Sequence, residues 1–363
     1  MSISSVRDLY RGPSNVNRRA VQRLVLATAL VVTAGAVAGV LFLPAHTAEH
    51  EEGVLARGLS HLVYPAAVVG TVPAPVDGPF RLPAAAVTVG NATFVLDTGD
   101  ARLQKLDATG KVTATFDANS DPRLVFKQPM AMVTDGSKLY IANSLASEIL
   151  VVDAGSGRLN NSIRLQPLNA AEKIPRPIGL ALLASGGLAV SDADNHRVLI
   201  LDEGGKVVRT IGSGARASGK EGFNVPAGLA TDQAGNLYVV DTLNSRVAQF
   251  GPDGTYLGQF GKPGVTAGTL ARPKGVAVDA AGHVFVSDAF SVAVEVFNPD
   301  GSYVGLIGRT DAKDPSSASL FRSPAALSLT GDRLLVTDRI GGLITFRLGD
   351  PAHPDAKLTG GAH

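Results

Sequence analysis

Residues Pro226–Phe250 read PAGLATDQAGNLYVVDTLNSRVAQF and contain the pattern that decides the fold. The short segments Gly228–Thr231, Leu237–Val240 and Arg246–Phe250 suit β-strands, because Gly, Asp and Asn separate them. A Pro-Asp-Gly turn then leads to a fourth segment of the same kind, Tyr256–Phe260. Asp-Gly pairs supply the positive φ that tight hairpins need. The stretch therefore predicts four antiparallel strands, here called a to d, in one small sheet.

The same pattern occurs six times, and each copy begins at a proline. These are Pro83, Pro129, Pro177, Pro226, Pro273 and Pro324, at a spacing of 46–51 residues. Six four-stranded antiparallel sheets in series predict an all-β fold, a six-bladed β-propeller with one sheet per blade. A β-sandwich would not explain six copies of one pattern. We assign residues 61–349 to the propeller and residues 350–363 to a C-terminal tail.

Blade 6 has no strand d of its own. At the position where Pro324 predicts one, the sequence is the polar tail GDPAHPDAKLTGG. At the other end of the domain, Pro65–Gly70 (PAAVVG) resembles Tyr303–Gly308 (YVGLIG) in its apolar ending and final glycine. We therefore predict that residues 62–70 pair antiparallel with Leu343–Leu348 and complete blade 6. Such closure hides two exposed sheet edges.

An uncharged run of 20 residues, 24–43 (LVLATALVVTAGAVAGVLFL), precedes the propeller. A helix of that length spans about 30 Å of hydrocarbon. Arg18, Arg19 and Arg23 come before it and acidic residues follow it, which predicts a cytoplasmic segment at residues 1–23 and an extracytoplasmic propeller. We predict a single-pass transmembrane signal anchor at 24–43 and a linker at 44–60. The alternative is export after cleavage of a signal peptide.

Composition excludes several classes of protein. Hydrophobic residues make up 45% of the chain, and 41 Gly and 21 Pro without a collagen-like period suit an all-β protein with many turns. The absence of Cys excludes disulfides, thiolate metal sites and covalent c-type haem. The net charge is +1, which does not provide the positive field that nucleic acid requires.

The repeat resembles a known family. The residues Pro226–Phe250 are similar to the NHL repeat, and degenerate copies extend the resemblance over roughly residues 60–349. The resemblance implies a bacterial NHL-type six-bladed propeller that is membrane-anchored or exported. NHL-like propellers include peptide-amidating lyases, sensor domains of receptor kinases, and protein- or RNA-binding modules, and they resemble gluconolactonases. Membership therefore implies the fold and leaves the function open.

A carboxylate ends strand b and an arginine begins strand c at the same spacing in three blades. The pairs are Asp97 and Arg102, Asp192 and Arg197, and Asp241 and Arg246. Because the arrangement is repeated, we interpret it as a structural pair that braces the loop between strands b and c. Asp288 and Asp338 face Ala293 and Leu343 in the same alignment, so we expect these two carboxylates to be freer to contact a ligand.

The enzymatic chemistry of related propellers would need metal ligands. A lyase would need several histidines on one zinc ion, but His196 and His283 are predicted on opposite faces. A lactonase would need oxygen ligands for calcium around the channel. The residues that follow the repeat prolines should line the channel entrance: Ala84, Met130, Ile178, Ala227, Lys274 and Ala325. We therefore predict no catalytic residue, no metal site and no cofactor.

What remains is a binding face. The long connections from strand d to the next strand a share a face with the loops between strands b and c, and they carry more basic than acidic residues. Candidate ligand-binding residues there are Arg176, Arg272, Lys274, Asp288 and Asp338. The sequence favours a membrane-tethered propeller that binds a small molecule, polysaccharide or protein. The alternative is a metal-dependent propeller enzyme, peptide-amidating-lyase-like or gluconolactonase-like.

Overall fold

The structure is a computed structural model that describes residues 64–73, 80–220, 222–309 and 318–349. Twenty-four strands in these residues form six antiparallel sheets of four strands, which confirms the predicted propeller. Blade 1 consists of β2 Pro83–Val89, β3 Ala92–Asp97, β4 Arg102–Leu106 and β5 Val112–Phe116. Blade 2 consists of β6 Pro129–Thr134, β7 Lys138–Asn143, β8 Glu148–Asp153 and β9 Leu159–Arg164. Blade 3 consists of β10 Pro177–Leu182, β11 Leu188–Asp192, β12 Arg197–Leu201 and β13 Val207–Ile211.

Blades 4–6 follow the same order. Blade 4 consists of β14 Pro226–Thr231, β15 Leu237–Asp241, β16 Arg246–Phe250 and β17 Tyr256–Phe260. Blade 5 consists of β18 Pro273–Val278, β19 Val284–Asp288, β20 Ala293–Phe297 and β21 Tyr303–Ile307. Blade 6 consists of β22 Pro324–Thr330, β23 Arg333–Asp338, β24 Gly342–Leu348 and β1 Ala66–Pro73. Single-turn 3-10 helices follow strand b in blades 1–4: Thr98–Asp100, Ser144–Ala146, Ala193–Asn195 and Thr242–Asn244.

The core lies between neighbouring blades. One buried cluster joins Val198 and Phe223 to Val239 and Phe250, so blades 3 and 4 share it. Strands b such as Leu237–Asp241 are buried along their whole length, because both of their faces are covered by adjacent sheets. This is why they read as continuous apolar runs rather than as alternating ones.

Glycine permits the inner strands to approach one another. A Cβ on Gly228 would lie 2.5 Å from the carbonyl oxygen of Lys274, and one on Gly275 would lie 2.3 Å from that of Ala325. No side chain tolerates backbone at that distance. These glycines therefore allow the strands a of blades 4, 5 and 6 to pack closely around the channel.

The predicted closure of the ring is confirmed. Strand β1 pairs antiparallel with β24, from Ala66 opposite Leu348 to Pro73 opposite Gly342, with a register shift between Val68 and Gly70. The paired segment is therefore 66–73 rather than 62–70. The shift inserts one extra residue, Val69, and the pairing continues to Pro73 opposite Gly342, three residues beyond the predicted end.

No helix among the described residues is long and apolar enough to cross a membrane. The predicted anchor at 24–43, the flanking segments 1–23 and 44–60, and the tail at 350–363 lie outside the described residues. The membrane topology therefore stays a prediction.

Candidate functional site

The propeller has two chemically different faces. Because strands alternate in direction, the d-to-a connections and the b–c loops share one face, here called the loop face. Its described residues are 80–82, 98–101, 117–128, 144–147, 165–176, 193–196, 212–220, 222–225, 242–245, 261–272, 289–292, 308–309, 318–323 and 339–341. The a–b and c–d turns form the opposite turn face: 90–91, 107–111, 135–137, 154–158, 183–187, 202–206, 232–236, 251–255, 279–283, 298–302 and 331–332.

A cavity of about 470 Å³ occupies the central channel and is bordered by loop-face residues. All six residues predicted after the repeat prolines lie on its wall: Ala84, Met130, Ile178, Ala227, Lys274 and Ala325. They are placed there because each strand a begins at its repeat proline. Blades 1–4 contribute mainly apolar side chains, which makes that part of the wall hydrophobic.

Blades 5 and 6 make the other part of the wall cationic. Arg272, Lys274 and Arg339 line the cavity, and the lining includes no carboxylate. No described carboxylate lies within 4.0 Å of any of these three cations. Burial lowers the pKa of the half-buried Lys274, and the charges of Arg272 and Arg339 lower it further. The charge of Asp288 opposes this lowering only in part. This concentration of positive charge favours an anionic ligand.

Sequence reasoning missed Arg339. It lies directly after the carboxylate that ends strand b in blade 6. The residues at the same position in blades 1–5 are Thr98, Ser144, Ala193, Thr242 and Ala289. A lone arginine among small residues was the available signal, since a singular residue in a repeat points to function rather than to architecture.

The expectation that Asp288 and Asp338 are free for a ligand is wrong. Both are fully buried. Asp288 accepts backbone hydrogen bonds from Ala271, Arg272, Phe290 and Ser291 at 2.7–3.0 Å. Asp338 likewise accepts four, from Arg322, Ser323, Ile340 and Gly341 at 2.6–2.9 Å. Each carboxylate is therefore occupied in fixing the loops that present Arg272 and Arg339.

The alignment of blade 6 also needs a correction. Asp338 lies opposite Gly342, not Leu343, because the b–c loop of blade 6 is one residue shorter than the others. Arg176, another candidate, does not line the cavity and forms an ion pair with Asp194 at 2.7 Å. Of the five candidates, the structure thus brings only Arg272 and Lys274 to the channel wall.

The three repeated pairs have the geometry of a brace. The arginine Nε donates to the aspartate Oδ2 at 2.9 Å in Arg102–Asp97, 3.1 Å in Arg197–Asp192 and 2.9 Å in Arg246–Asp241. The aspartates are fully buried. Each also accepts a backbone N–H from the preceding d-to-a connection, at Arg81, Arg176 and Asn224. Blade 2 replaces the ion pair by a hydrogen bond from Asn143 to Glu148 at 2.9 Å.

The residues present do not fit a zinc or calcium site. The channel lining supplies neither carboxylate nor imidazole groups. The described residues contain no group of three or more His, Asp and Glu side chains that could hold a metal. The His196 Nδ1 accepts the Val225 N–H at 3.1 Å, whereas His283 pairs with Asp279 at 2.8 Å on the turn face.

Blade 5 lacks the Asp–Arg pair and contains a buried carboxyl group, that of Glu295, in its strand c. Glu295 is 1% exposed and accepts the Gly268 N–H at 3.2 Å. Burial raises its pKa to about 7, which Gly268, Tyr303 and Arg309 only partly oppose. Burial and Glu295 in turn raise the pKa of Tyr303. Sequence reasoning missed this cluster, because Glu295 stands at a strand position that is apolar or neutral in the other blades.

Fold and channel together define a six-bladed β-propeller with a cationic and apolar central cavity. The chain contains NHL repeats: the NHL repeat profile matches residues 175–201 and 223–250. These residues fall in blades 3 and 4, where the pattern is best preserved.

Solved structures similar to this chain are propellers with low sequence identity. Virginiamycin B lyase from Staphylococcus aureus is 12% identical, with a TM-score of 0.52 over 80% of this chain and 96% of that one. A gluconolactonase from Xanthomonas campestris is 17% identical, with a TM-score of 0.57 over 80% of this chain and 92% of that one. At these identities the similarity shows the fold alone.

One characterised relative is similar in sequence. The chloroplastic protein SUPPRESSOR OF QUENCHING 1 from Arabidopsis thaliana is 26% identical over 190 residues, which cover 44% of this chain. The matched region is 18% of that relative's length, so the chain corresponds to a small part of it.

Proposed function

We propose that this protein is a binding propeller whose channel takes up an amphipathic anion, and that residues 24–43 hold it at the outer face of the cytoplasmic membrane. The channel wall is the observation that supports the ligand class. One part of the wall is apolar, and the other part carries Arg272, Lys274 and Arg339 without a carboxylate in the lining.

The two parts of the wall select for different parts of a ligand. A carboxylate or phosphate group would be attracted to the cations of blades 5 and 6, because charge-assisted hydrogen bonds are strongest away from bulk water. An alkyl or aryl group would cover Met130, Ile178 and Leu229 on the apolar part. The volume of about 470 Å³ falls within the range of roughly 300–1,000 Å³ that small-molecule sites occupy.

Replacing Lys274 with Met tests this site. Met is similar in length and apolar, so the variant removes the charge and leaves the cavity filled. We expect the affinity for octyl phosphate to fall by about tenfold or more, as the loss of a charge-assisted contact implies. The affinity for octanol should stay unchanged. Calorimetry on the full-length protein in phosphatidylcholine nanodiscs, with partition into empty discs subtracted, measures both.

Lys262→Met is the matched control, since Lys262 is an exposed loop-face lysine that does not line the cavity. It should bind octyl phosphate as the unmodified protein does. If octanol binds as tightly as octyl phosphate, or if neither binds, the proposed function is wrong.

The tether rests on the uncharged run and the arginines before it, and it has a separate test. A reporter that is active only in the cytoplasm should be silent when fused after His363. The same reporter fused after Arg23 should be active and serves as the control. Strong activity of the fusion after His363 would contradict the proposed topology.

A further inference from the structure

The exposed apolar side chains are concentrated on the loop face. Ten of the 14 large exposed apolar side chains among the described residues lie there, and none lies on the turn face. The ten are Leu82, Val125, Leu145, Leu168, Ile174, Leu243, Val265, Phe290, Leu320 and Ile340. The other four belong to the outer strands β1, β13 and β17. Leu145, Leu243, Phe290 and Ile340 hold the same position in four different b–c loops, so they recur around the channel mouth.

Positive charge is concentrated on the same face. Nine loop-face cations have no described carboxylate within 4.0 Å, and one of them, Arg309, is buried, which leaves eight that are accessible to solvent. They are Lys127, Lys173, Arg216, Lys220, Lys262, Arg272, Arg322 and Arg339. The described acids of this face are already engaged: Asp100, Asp121, Glu172 and Asp194 by arginines, and Asp117 by the N–H groups of its own turn. The cations are therefore available to an external anion.

The turn face has the opposite charge. Its segments carry nine acidic residues: Asp107, Asp135, Asp202, Glu203, Asp232, Asp253, Asp279, Asp300 and Asp332. They carry three basic ones, Lys111, Arg158 and Lys206. A molecule with this charge separation is oriented by an anionic surface, which attracts the loop face and repels the turn face.

We propose that the loop face docks on an anionic lipid bilayer, with its apolar loop tips in the headgroup region and its cations against lipid phosphates. The apolar tips belong to separate loops with cations between them. The core of a protein–protein interface is depleted of charged residues, which lie at its rim instead. A lipid interface accepts separate tips, and combines apolar insertion with attraction between basic side chains and anionic headgroups.

The channel opens onto the same surface. Arg272, Phe290 and Arg339 belong to the loop face and also line the cavity. An amphipathic anion could therefore enter the channel directly from the bilayer. The docking itself is independent of the channel ligand, because most of the tips and cations lie outside the cavity lining.

The predicted tether permits this orientation. Strand β1 enters the domain on the side of the turn face, where Ala66 pairs with Leu348. The 20 residues between position 43 and Tyr64 can extend to roughly 70 Å. A blade strand of 5–8 residues is only about 17–26 Å long, so the chain is long enough for the loop face to reach the same bilayer.

A tryptophan reporter tests the proposal on the full-length protein, because the chain contains no Trp. Leu243→Trp places the reporter on the loop face, and Ala280→Trp places the matched control on the turn face. The protein is presented to phosphatidylcholine alone and to equal parts of phosphatidylcholine and phosphatidylglycerol, with brominated acyl chains as quencher. The comparison of the neutral with the anionic lipid is valid in both cases: when residues 24–43 anchor the protein in the bilayer, and when the protein is added to the vesicles from solution.

We expect the Leu243→Trp emission to shift to the blue and to lose most of its intensity in the anionic lipid alone. High salt should reverse the loss, since the attraction is electrostatic. When Lys127→Glu and Lys262→Glu are combined with Leu243→Trp, the quenching by anionic lipid should disappear. The Ala280→Trp emission should not change. Equal quenching at both positions, or a loop-face reporter that stays in water on anionic lipid, would overturn the proposal. If the loop-face reporter stays in water on anionic lipid, an acidic protein is the remaining partner for this face. Neither result bears on octyl phosphate binding in the channel.

Discussion

Asp241→Ala is expected to lower the free energy of unfolding by about 3–5 kcal/mol, the cost of breaking a buried ion pair by removing one partner. Asp241 is fully buried and accepts hydrogen bonds from the Asn224 N–H at 2.7 Å, the Asn244 amide at 2.6 Å and Arg246 at 2.9 Å. Without it, the guanidinium of Arg246, which is 3% exposed, keeps a buried charge with no carboxylate partner.

Urea denaturation of the single and double variants measures this effect. Asp194→Ala is the control, because its ion pair with Arg176 is partly exposed and should contribute much less. In the cycle formed by Asp241→Ala and Arg246→Met, the double variant should lose less stability than the sum of the two single losses. If the losses simply add, the pair is not a brace and its charges act independently.

Glu295→Gln is expected to raise the free energy of unfolding above neutral pH by roughly 3 kcal/mol and to change it little near pH 5. The folded-state pKa of about 7 lies above the ordinary value of 4.5. Between those values the folded protein keeps a proton that the unfolded chain releases, so stability falls as pH rises through this window. The difference of about 2.5 pH units corresponds to roughly 3 kcal/mol at 1.36 kcal/mol per unit. Gln stays neutral and keeps an acceptor for the Gly268 N–H, so it avoids the loss.

Unfolding curves of both proteins from pH 5 to pH 9 provide the measurement. The two free energies should nearly coincide at the acidic end, diverge as the pH rises to about 7 and keep a constant difference above it. A constant difference at every pH would show that Glu295 acts through packing rather than through its ionisation. Glu295→Leu separates the two effects further, since it removes both the charge and the hydrogen bond to Gly268.

The repeat was sufficient to predict the blades, the closure and the channel wall. Strand order and residue position are periodic, so one clear copy at Pro226–Phe250 defines the geometry of the degenerate ones. Positions such as Ala84 and Lys274 could be placed in three dimensions because they are equivalent in the repeat. The extra residue between Val68 and Gly70 was not predictable, since bulges arise from local twist rather than from the apolar pattern.

The errors concern residues that depart from the repeat. Asp288 and Asp338 were expected to be free because they lack an arginine partner, but backbone N–H groups satisfy a carboxylate equally well and leave no trace in the sequence. Glu295 was missed because burial, not residue type, determines its ionisation. Arg339 was missed because it stands at a loop position that carries small residues in the other blades, so the repeat does not mark it as a cation of the channel wall.

The closure of blade 6 has a consequence for the order of folding. Pro73 and Gly342 pair at a sequence separation of 269 residues, so β1 is synthesised first and must wait for nearly the whole chain before it finds β24. Blades 1–5 each pair consecutive strands and can form as they emerge, whereas this last contact is the most non-local one and should be the slow step. Until it forms, two unpaired edges can recruit the matching strands of another chain. An open ring can then exchange β1 with a neighbour, so crowded nascent chains risk forming strand-swapped dimers instead of closed monomers.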